Sequence, residues 1–344
     1  MTVDAALPRF SREVRIAGSP PPGTLAPENF RIVETPLAEP TPGSVVVRNR
    51  YFLVFPGLRT LMDDPIDGVP LPAQRPGDAL FGPAIGDVVA APDGHPLRPG
   101  DTVMHMLGWR DYASVPAAEC TLLDDALPDP VAYLAQGSAA YGAITRYAAI
   151  REGDVVFVSG AAGAVGTLAG QIARLLGAGR VIGSTGSSWK AARMVAELGY
   201  DAVVVRGQAP VAEQLAEAAP DGIDVFVDNV GGEDLRAAIT AARQSARFAL
   251  VGALSGQLAP RGSGSRAPVE VDSFQLILKQ VTMTGYSAGG DEELRAEWSS
   301  RFAGWLRSGA IRFPVARVEG IEQAPRALHD LLAGRYLGTV IVAV

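Results

Sequence analysis

A short, continuously apolar run, Val155-Val-Phe-Val-Ser159, passes directly into Gly160-Ala-Ala-Gly163-Ala-Val-Gly166, and a helix follows from about Thr167. This order of strand, glycine turn and helix limits the fold more than any other feature, because it is the opening of a βα unit. Glycines let the backbone turn tightly and approach an anion. The unpaired N–H groups at the helix start, aided by the helix dipole, then stabilise a pyrophosphate. The spacing is a G-x-x-G-x-x-G variant, and a tight turn in any α/β protein can look similar. The strand before it, the helix after it and a second βα unit at the right distance favour dinucleotide binding.

The alternation continues with a strand at Val181–Ser184, a helix at Lys190–Leu198, a strand at Ala202–Val205 and a helix at Val211–Ala219. Strands are expected again at Val225–Asp228, Phe248–Gly252 and Thr282–Gly285. Together these predict an α/β fold with a doubly wound parallel sheet, a Rossmann domain over residues 131–289. Between the last two strands, Gly256–Asp272 is rich in Gly, Ser, Pro and Arg and reads as a surface loop. Residues 1–130 differ in texture: Pro-rich, with short β-type runs such as Ser44–Arg48 and Asp101–His105 between turn signals. The closing segment predicts helices at Asp291–Ser308 and Glu322–Leu332 and a strand at Thr339–Val344. Residues 290–344 are expected to rejoin the first domain. Two domains suit a chain of 344 residues.

Composition removes several function classes. A formal net charge of -7 gives no basic surface for nucleic acid. The single cysteine, Cys120, builds neither a disulfide framework nor a multi-thiolate zinc site. His95, His105 and His329 have no ligand spacing, so no metal is expected. No apolar run approaches the ~20 residues of a membrane helix, and the first residues do not resemble a secretory signal. The expectation is a cytoplasmic protein with a small-molecule substrate and neither membrane nor nucleic-acid partners.

The nucleotide preference is read at the end of the second strand. A site for NAD usually ends that strand with Asp or Glu, which binds the ribose 2′-OH and repels a 2′-phosphate. Here the strand ends Gly183-Ser184-Thr185-Gly186, without an acid, and Ser187, Ser188 and Lys190 follow as donors. Lys190 is either a solvated helix residue or a phosphate ligand; its place in the first turn favours the second. Arg206, past the third strand, is a further cationic candidate. NADPH is expected over NADH.

At this point the chain resembles the zinc-free branch of the medium-chain dehydrogenase/reductase superfamily, specifically the leukotriene/prostaglandin reductases and plant alkenal double-bond reductases. The resemblance is carried by Asn49-Arg-Tyr51 with Val54, Pro56 and Arg59; by Gly108-Trp109 with Tyr112-Ala113; and by Gly137-Ser-Ala-Ala-Tyr141. It continues through the glycine turn, Gly183 to Lys190, Leu198-Gly-Tyr-Asp201, Asp228-Asn-Val-Gly-Gly232, Gly285-Tyr286, and Gly334 with Gly338. It implies a β-rich, GroES-like catalytic domain beside the Rossmann domain, a homodimer, and NADPH-dependent reduction of the C=C bond of an α,β-unsaturated carbonyl. Cofactor contacts are then expected from Gly163, Ala164, Val165, Gly166, Ser184, Thr185, Gly186, Lys190, Arg206, Asn229, Gly252 and Tyr336.

The departures from that family cluster on the substrate side. The family commonly has Ser, Asp and Tyr where this chain has Leu53, Phe55 and Gly57, Tyr-Asn where it has Gln257-Leu258, and Asn where it has Tyr336. Neutral drift is one account; an enlarged apolar pocket for a bulky or aromatic substrate is the other, lined by Phe55, Gly57, Trp109, Tyr141 and Gln257. A structural role is the plainer reading of Trp109. Reduction of an enone puts negative charge on the carbonyl oxygen, so donors are needed there. With the family's loop Tyr absent, Tyr51, Tyr286 and Tyr336 are the catalytic candidates, Tyr51 first, though each is equally readable as an amphipathic core residue. Two alternatives stay open: a quinone reductase of related fold, and a non-catalytic NADPH-binding assembly or sensor protein.

Overall fold

A computed structural model describes residues 7–18, 25–62, 71–258, 266–287 and 291–344. The chain divides into two compact units, Met1–Leu134 with Ala316–Arg335 and Val340–Val344, and Ala135–Val315 with Tyr336–Thr339.

The first unit is β-rich. β1 (Phe10–Ile16) and β2 (Phe30–Pro36) form an antiparallel pair. A larger sheet is organised on β3 (Ser44–Val54), which is followed by the short helix α1 (Gly57–Leu61), β4 (Ala84–Ala90), β5 (Thr102–His105), β6 (Tyr112–Pro116) and β7 (Thr121–Leu122). β3 runs well beyond the expected Ser44–Arg48. Its polar mid-strand residue Asn49 does not end it, because Nδ2 donates to the carbonyls of Leu107 at 3.1 Å and Arg110 at 2.8 Å. The inward residues Val45 and Val47 pack with Val88, Val103 and Val115 into one core.

In the second unit, α2 (Gly137–Gly142) precedes β8 (Val155–Val158), α3 (Ala164–Leu175), β9 (Arg180–Thr185), α4 (Ser188–Leu198), β10 (Ala202–Val205) and α5 (Val211–Ala218). There follow β11 (Ile223–Asp228), α6 (Gly232–Ala241), β12 (Ala242–Leu250), α7 (Leu254–Gln257), α8 (Ser273–Lys279), β13 (Thr282–Gly285) and α9 (Glu292–Ser308). The six strands are parallel, in the order β10-β9-β8-β11-β12-β13. The winding reverses between β8 and β11, and such a sheet binds ligands beyond the strand ends at that reversal. Across three neighbouring strands Phe157 stacks on Phe226, with centroids 5.1 Å apart, and Phe248 meets Phe226 edge-on at 5.3 Å. The apolar run of β8 is thus a strand buried on both faces.

One expected boundary is corrected. α9 was expected with residues 290–344 in the first domain, yet it belongs to the second unit. Its stripe Leu294, Trp298, Phe302 is buried, and the Trp298 ring lies so close to Gly137 that a Cβ there would meet it at 2.1 Å. Periodicity shows that a helix has a buried face, not which partner covers it. Only after residue 315 does the chain return, with β14 (Val315–Glu319), α10 (Ala324–Leu332) and β15 (Thr339–Ala343). The sheet order is β14-β15-β3-β4-β5-β7, and β3 also pairs with β6. Of the expected loop Gly256–Asp272, residues 259–265 lie outside the described residues; Asp272 caps α8, accepting from the N–H of Phe274 and Gln275. Among the described residues no helix is long and apolar enough to cross a membrane.

His105, buried at the end of β5, accepts the Leu107 N–H at Nδ1, while its Nε2 has no partner among the described residues. Burial, and secondarily Arg110, push its pKa down to about 4. The folded chain therefore holds His105 neutral where the unfolded chain is protonated, so stability is lost as pH falls from about 6.5 toward 4. Denaturant unfolding at pH 7 and pH 5 should show this as about 2 kcal/mol. The difference should shrink in His105→Gln; an undiminished pH dependence in that variant would assign the effect elsewhere.

Candidate functional site

The second unit gathers the expected cofactor residues at the carboxyl ends of its strands. After β8 the chain turns through Gly160, whose φ of +56° lies in the left-handed region, and Gly163 N–H donates to the Gly160 carbonyl at 3.0 Å. α3 then starts at Ala164. No side chain caps it and its first turn carries no acid, so the N–H groups of Ala164, Val165 and Gly166 are left for an anion. Gly166 is needed for a different reason. A Cβ there would lie 2.5 Å from Ala161 Cα, so the helix can start this close to the turn only without a side chain. At Gly163 the nearest atom to a Cβ would be the Gly160 carbonyl oxygen, 3.3 Å away. Gly338 pairs with Gly163, its N–H donating to the Ala162 carbonyl at 2.9 Å.

The neighbouring strand ends supply charge. β9 ends Ser184-Thr185, and Gly186 follows. Lys190, in the first turn of α4, is buried along its stem, with Nζ 3.4 Å from the Tyr336 carbonyl oxygen. Desolvation, and then the nearby Arg206, lower its pKa. Arg206 follows β10, with Nη1 3.2 Å from Ser184 Oγ, and its Nη2 lies 3.8 Å from where a Gly186 Cβ would be. Two cations thus converge on a strand end without an acid, which fits a 2′-phosphate and not a bare ribose hydroxyl. At the end of β11 the Asp228 carboxylate accepts from Ser159 Oγ at 2.6 Å and from the N–H of Val230 and Gly231. Burial raises the Asp228 pKa. Asn229 Nδ2 donates to the Ser159 carbonyl, and a Cβ on Gly252 would meet the Asn229 carbonyl oxygen at 2.8 Å. The ends of β8, β11 and β12 are therefore locked to one another.

The candidates for catalysis and for the substrate pocket fare differently. In the first unit Tyr51 is half-buried with the guanidinium carbons of Arg50 and Arg317 5.6 and 5.3 Å from its ring centroid, and its hydroxyl makes no hydrogen bond among the described residues. Phe55, Gly57 and Trp109 come together there: the Phe55 ring is 3.2 Å from a Cβ built on Gly57, and Phe55 and Trp109 Nε1 both lie against Gly82. Trp109 is fully buried beside Phe52, with φ +62° and Nε1 without a partner among the described residues. Tyr141 does not join this group. It is a packing residue of the second unit, 1 % exposed, hydrogen-bonded to Glu297 and set near Trp298 and Trp305; its pKa is pushed up to about 12. Desolvation is the main cause, followed by the Glu297 hydrogen bond. Tyr286 is also core, its hydroxyl against Gly142 and its ring 4.7 Å from Tyr147. Tyr336 lies beside Lys190, and Gln257 ends α7. Sequence reasoning passed over Asp234, Asp228 and Ser159, the buried polar residues behind the glycine turn; two of them flank the Asn-Val-Gly-Gly stretch.

Two family profiles match the chain, one described as the N-terminal domain of oxidoreductase over residues 12–123, the other as zinc-binding dehydrogenase over residues 164–303. The chain is 31% identical over 324 residues to prostaglandin reductase 1 of Mus musculus, covering 91% of this chain and 93% of that protein. It is 30% identical over 342 residues to an NADPH-dependent curcumin reductase of Escherichia coli, covering 96% of each. The chain is an oxidoreductase of the zinc-independent medium-chain dehydrogenase/reductase branch that holds the prostaglandin and alkenal reductases. The crystal structure of CurA from Vibrio vulnificus in complex with NADPH is similar in fold, with a TM-score of 0.86 and 29% identity over 97% of this chain and 99% of that one. The fold is that of the Rossmann and GroES-like pair. Among the described residues no three His, Cys, Asp or Glu side chains converge.

The two glycines of the turn should separate binding from folding. Gly163→Ala, with ordinary backbone angles and a single tight contact at 3.3 Å to the Gly160 carbonyl oxygen, should cost less stability than Gly166→Ala but bind dinucleotide about tenfold more weakly, because the added methyl stands at the start of α3. Gly166→Ala should lose stability outright, read as a fall in melting temperature without ligand. Equal stability of the two variants would contradict this assignment.

Proposed function

We propose that the protein is an NADPH-dependent ene-reductase, reducing the C=C bond of α,β-unsaturated carbonyl compounds with a bulky apolar or aromatic substituent, and that it works as a homodimer. The observation that carries the cofactor is the pair Lys190 and Arg206 at the acid-free end of β9, beside the uncapped start of α3. NADPH, when bound, supplies the hydride. The residues of this chain hold and orient it: the α3 N–H groups at the pyrophosphate, the two cations at the 2′-phosphate, and Asn229 with Gly252 along the ends of β11 and β12. The prostaglandin and curcumin reductases among the relatives support the enone as substrate class. Phe55 beside Gly57, where related enzymes carry polar residues, supports an apolar substituent.

Of the phenols, Tyr51 is the one we assign to the developing enolate oxygen, because its hydroxyl makes no hydrogen bond among the described residues while the Tyr286 hydroxyl is packed against Gly142. The two guanidiniums beside its ring are attracted to the π face and hold the ring in place. Dimerisation is supported by β13, an edge strand with Thr282 and Met283 exposed, next in sequence to α8, whose Phe274, Ile277 and Leu278 are 62%, 69% and 54% exposed. An unpaired edge and an apolar helix face in one segment are what a self-pairing surface presents.

Turnover of NADPH with an aryl enone, an alkenal and 1,4-naphthoquinone tests the reading. The enones should be reduced, and Lys190→Ala should cut kcat/KM with NADPH by about a hundredfold while changing NADH little. Faster turnover with the quinone alone would make the protein a quinone reductase; tight NADPH binding with no acceptor reduced would make it a binding protein. Separately, Ile277→Asp should convert a dimer to a monomer in analytical ultracentrifugation, and a monomeric wild type would end the homodimer assignment.

A further inference from the structure

Ser184 lies at the centre of a buried polar knot in the second unit. Its hydroxyl donates to the Asp234 carboxylate and accepts from Arg206 Nη1 at 3.2 Å and from the Gly160 N–H at 3.2 Å. Asp234 stands in the first turn of α6 and is 1% exposed; its second oxygen is 3.7 Å from Arg206 Nη1. Arg206 therefore commits one nitrogen of its fork to the knot, and its other terminal nitrogen lies at Gly186, where the second strand ends. A knot of this kind joins the glycine turn, the end of β9, the residue after β10 and the start of α6 through a single hydroxyl.

We infer that Asp234 is a positioning residue which, through Ser184, holds Arg206 at the 2′-phosphate site of NADPH against the repulsion of Lys190. The inference rests on the cofactor reading above. Lys190 and Arg206 are like charges brought together before any phosphate arrives; the Lys190 pKa is lowered first by burial and second by Arg206, and that second part reflects the repulsion. A guanidinium on a flexible stem, a third exposed, would relieve the repulsion by turning into water unless something held it. Asp234 is the anion placed to do so. It is too deeply buried to touch the ligand, with Ser184 in between, and the other acids acting on it, Asp228 and Glu233, are not paired with Arg206. Holding the fork in place before binding removes an ordering cost that would otherwise weaken the complex.

A carboxylate near a phosphate site also repels the phosphate, so positioning and repulsion predict opposite signs. The test compares binding of 2′,5′-ADP and 5′-AMP to wild type, Asp234→Asn and Arg206→Ala by calorimetry. It adds the titration of Lys190 in the ligand-free protein, read by NMR of chains labelled with [13Cε]lysine; the chain has only two lysines, Lys190 and Lys279, so the signals are readily told apart. If Asp234 positions Arg206, Asp234→Asn should bind 2′,5′-ADP about tenfold more weakly with 5′-AMP unchanged, KM for NADPH rising and kcat retained. The Lys190 pKa should rise, as in Arg206→Ala, because the second cation has moved away. A fall in the Lys190 pKa with tighter 2′,5′-ADP binding, or an equal loss for both nucleotides, would overturn the inference. If Asp234→Asn does not fold, Ser184→Ala is read by the same criteria. A wild type without preference for 2′,5′-ADP over 5′-AMP would count against the cofactor reading, while the Lys190 titration would still decide whether Asp234 holds Arg206.

Discussion

Everything at the nucleotide end of the second unit depends on how closely α3 approaches the turn that precedes it. With hydrogen alone on Gly166, the helix axis can start against Ala161, and its uncapped N–H groups point into the space beyond β8. A side chain there would push the helix away, and the dipole end would no longer face the same point as the donors of β9 and β10. The approach is kept from the other side by Tyr200, whose hydroxyl donates to the Gly166 carbonyl at 2.6 Å from a fully buried ring. Steric permission and a buried hydrogen bond act together at one residue.

Around that point the polar groups fall into two kinds. Ser159 and Asp228 satisfy each other and the backbone, so they fix the strand ends, and Asn229 is held against them through its N–H and Nδ2. Lys190 and Arg206 bring two cations to one strand end, where the Asp234 carboxylate is 3.7 Å from Arg206, in a chain whose formal charge is -7. A locally positive site on an acidic protein selects for a polyanionic small molecule and against extended polyanions, whose remaining charges would meet the acidic surface.

Much of this was legible in the sequence, because the signals were local. A continuous apolar strand, a glycine turn and a helix adjoin one another in the chain, and the missing acid after β9 can be read from four letters. What could not be read were the pairings made across the fold. The β-type run read from the sequence stops at Arg48, while the strand continues through Asn49 because its side chain finds the carbonyls of Leu107 and Arg110. α9 carried a clear apolar stripe, yet only the tertiary structure gives that stripe to Gly137 and not to the first unit. Tyr141 and Tyr286 belong to motifs shared with related enzymes, but the Tyr141 hydroxyl is bound to Glu297 and that of Tyr286 is packed against Gly142, and neither neighbour is near in sequence. Asp234 gave no signal at all, since an acid in a helix's first turn is ordinarily explained by the helix dipole alone.

The pairing of Gly338 with Gly163 makes the nucleotide unit discontinuous: residues 336–339, which follow an excursion of the chain through the first unit, lie beside the turn that follows its first strand. During synthesis on the ribosome the strands β8 to β13 emerge and pair well before that segment exists. The unit therefore cannot finish folding in the vectorial, one-domain-at-a-time order open to contiguous domains. Its glycine turn waits, lacking the Gly338 N–H, until that later segment has been made, and maturation of the dinucleotide site is tied to a stretch of chain far downstream of the turn itself.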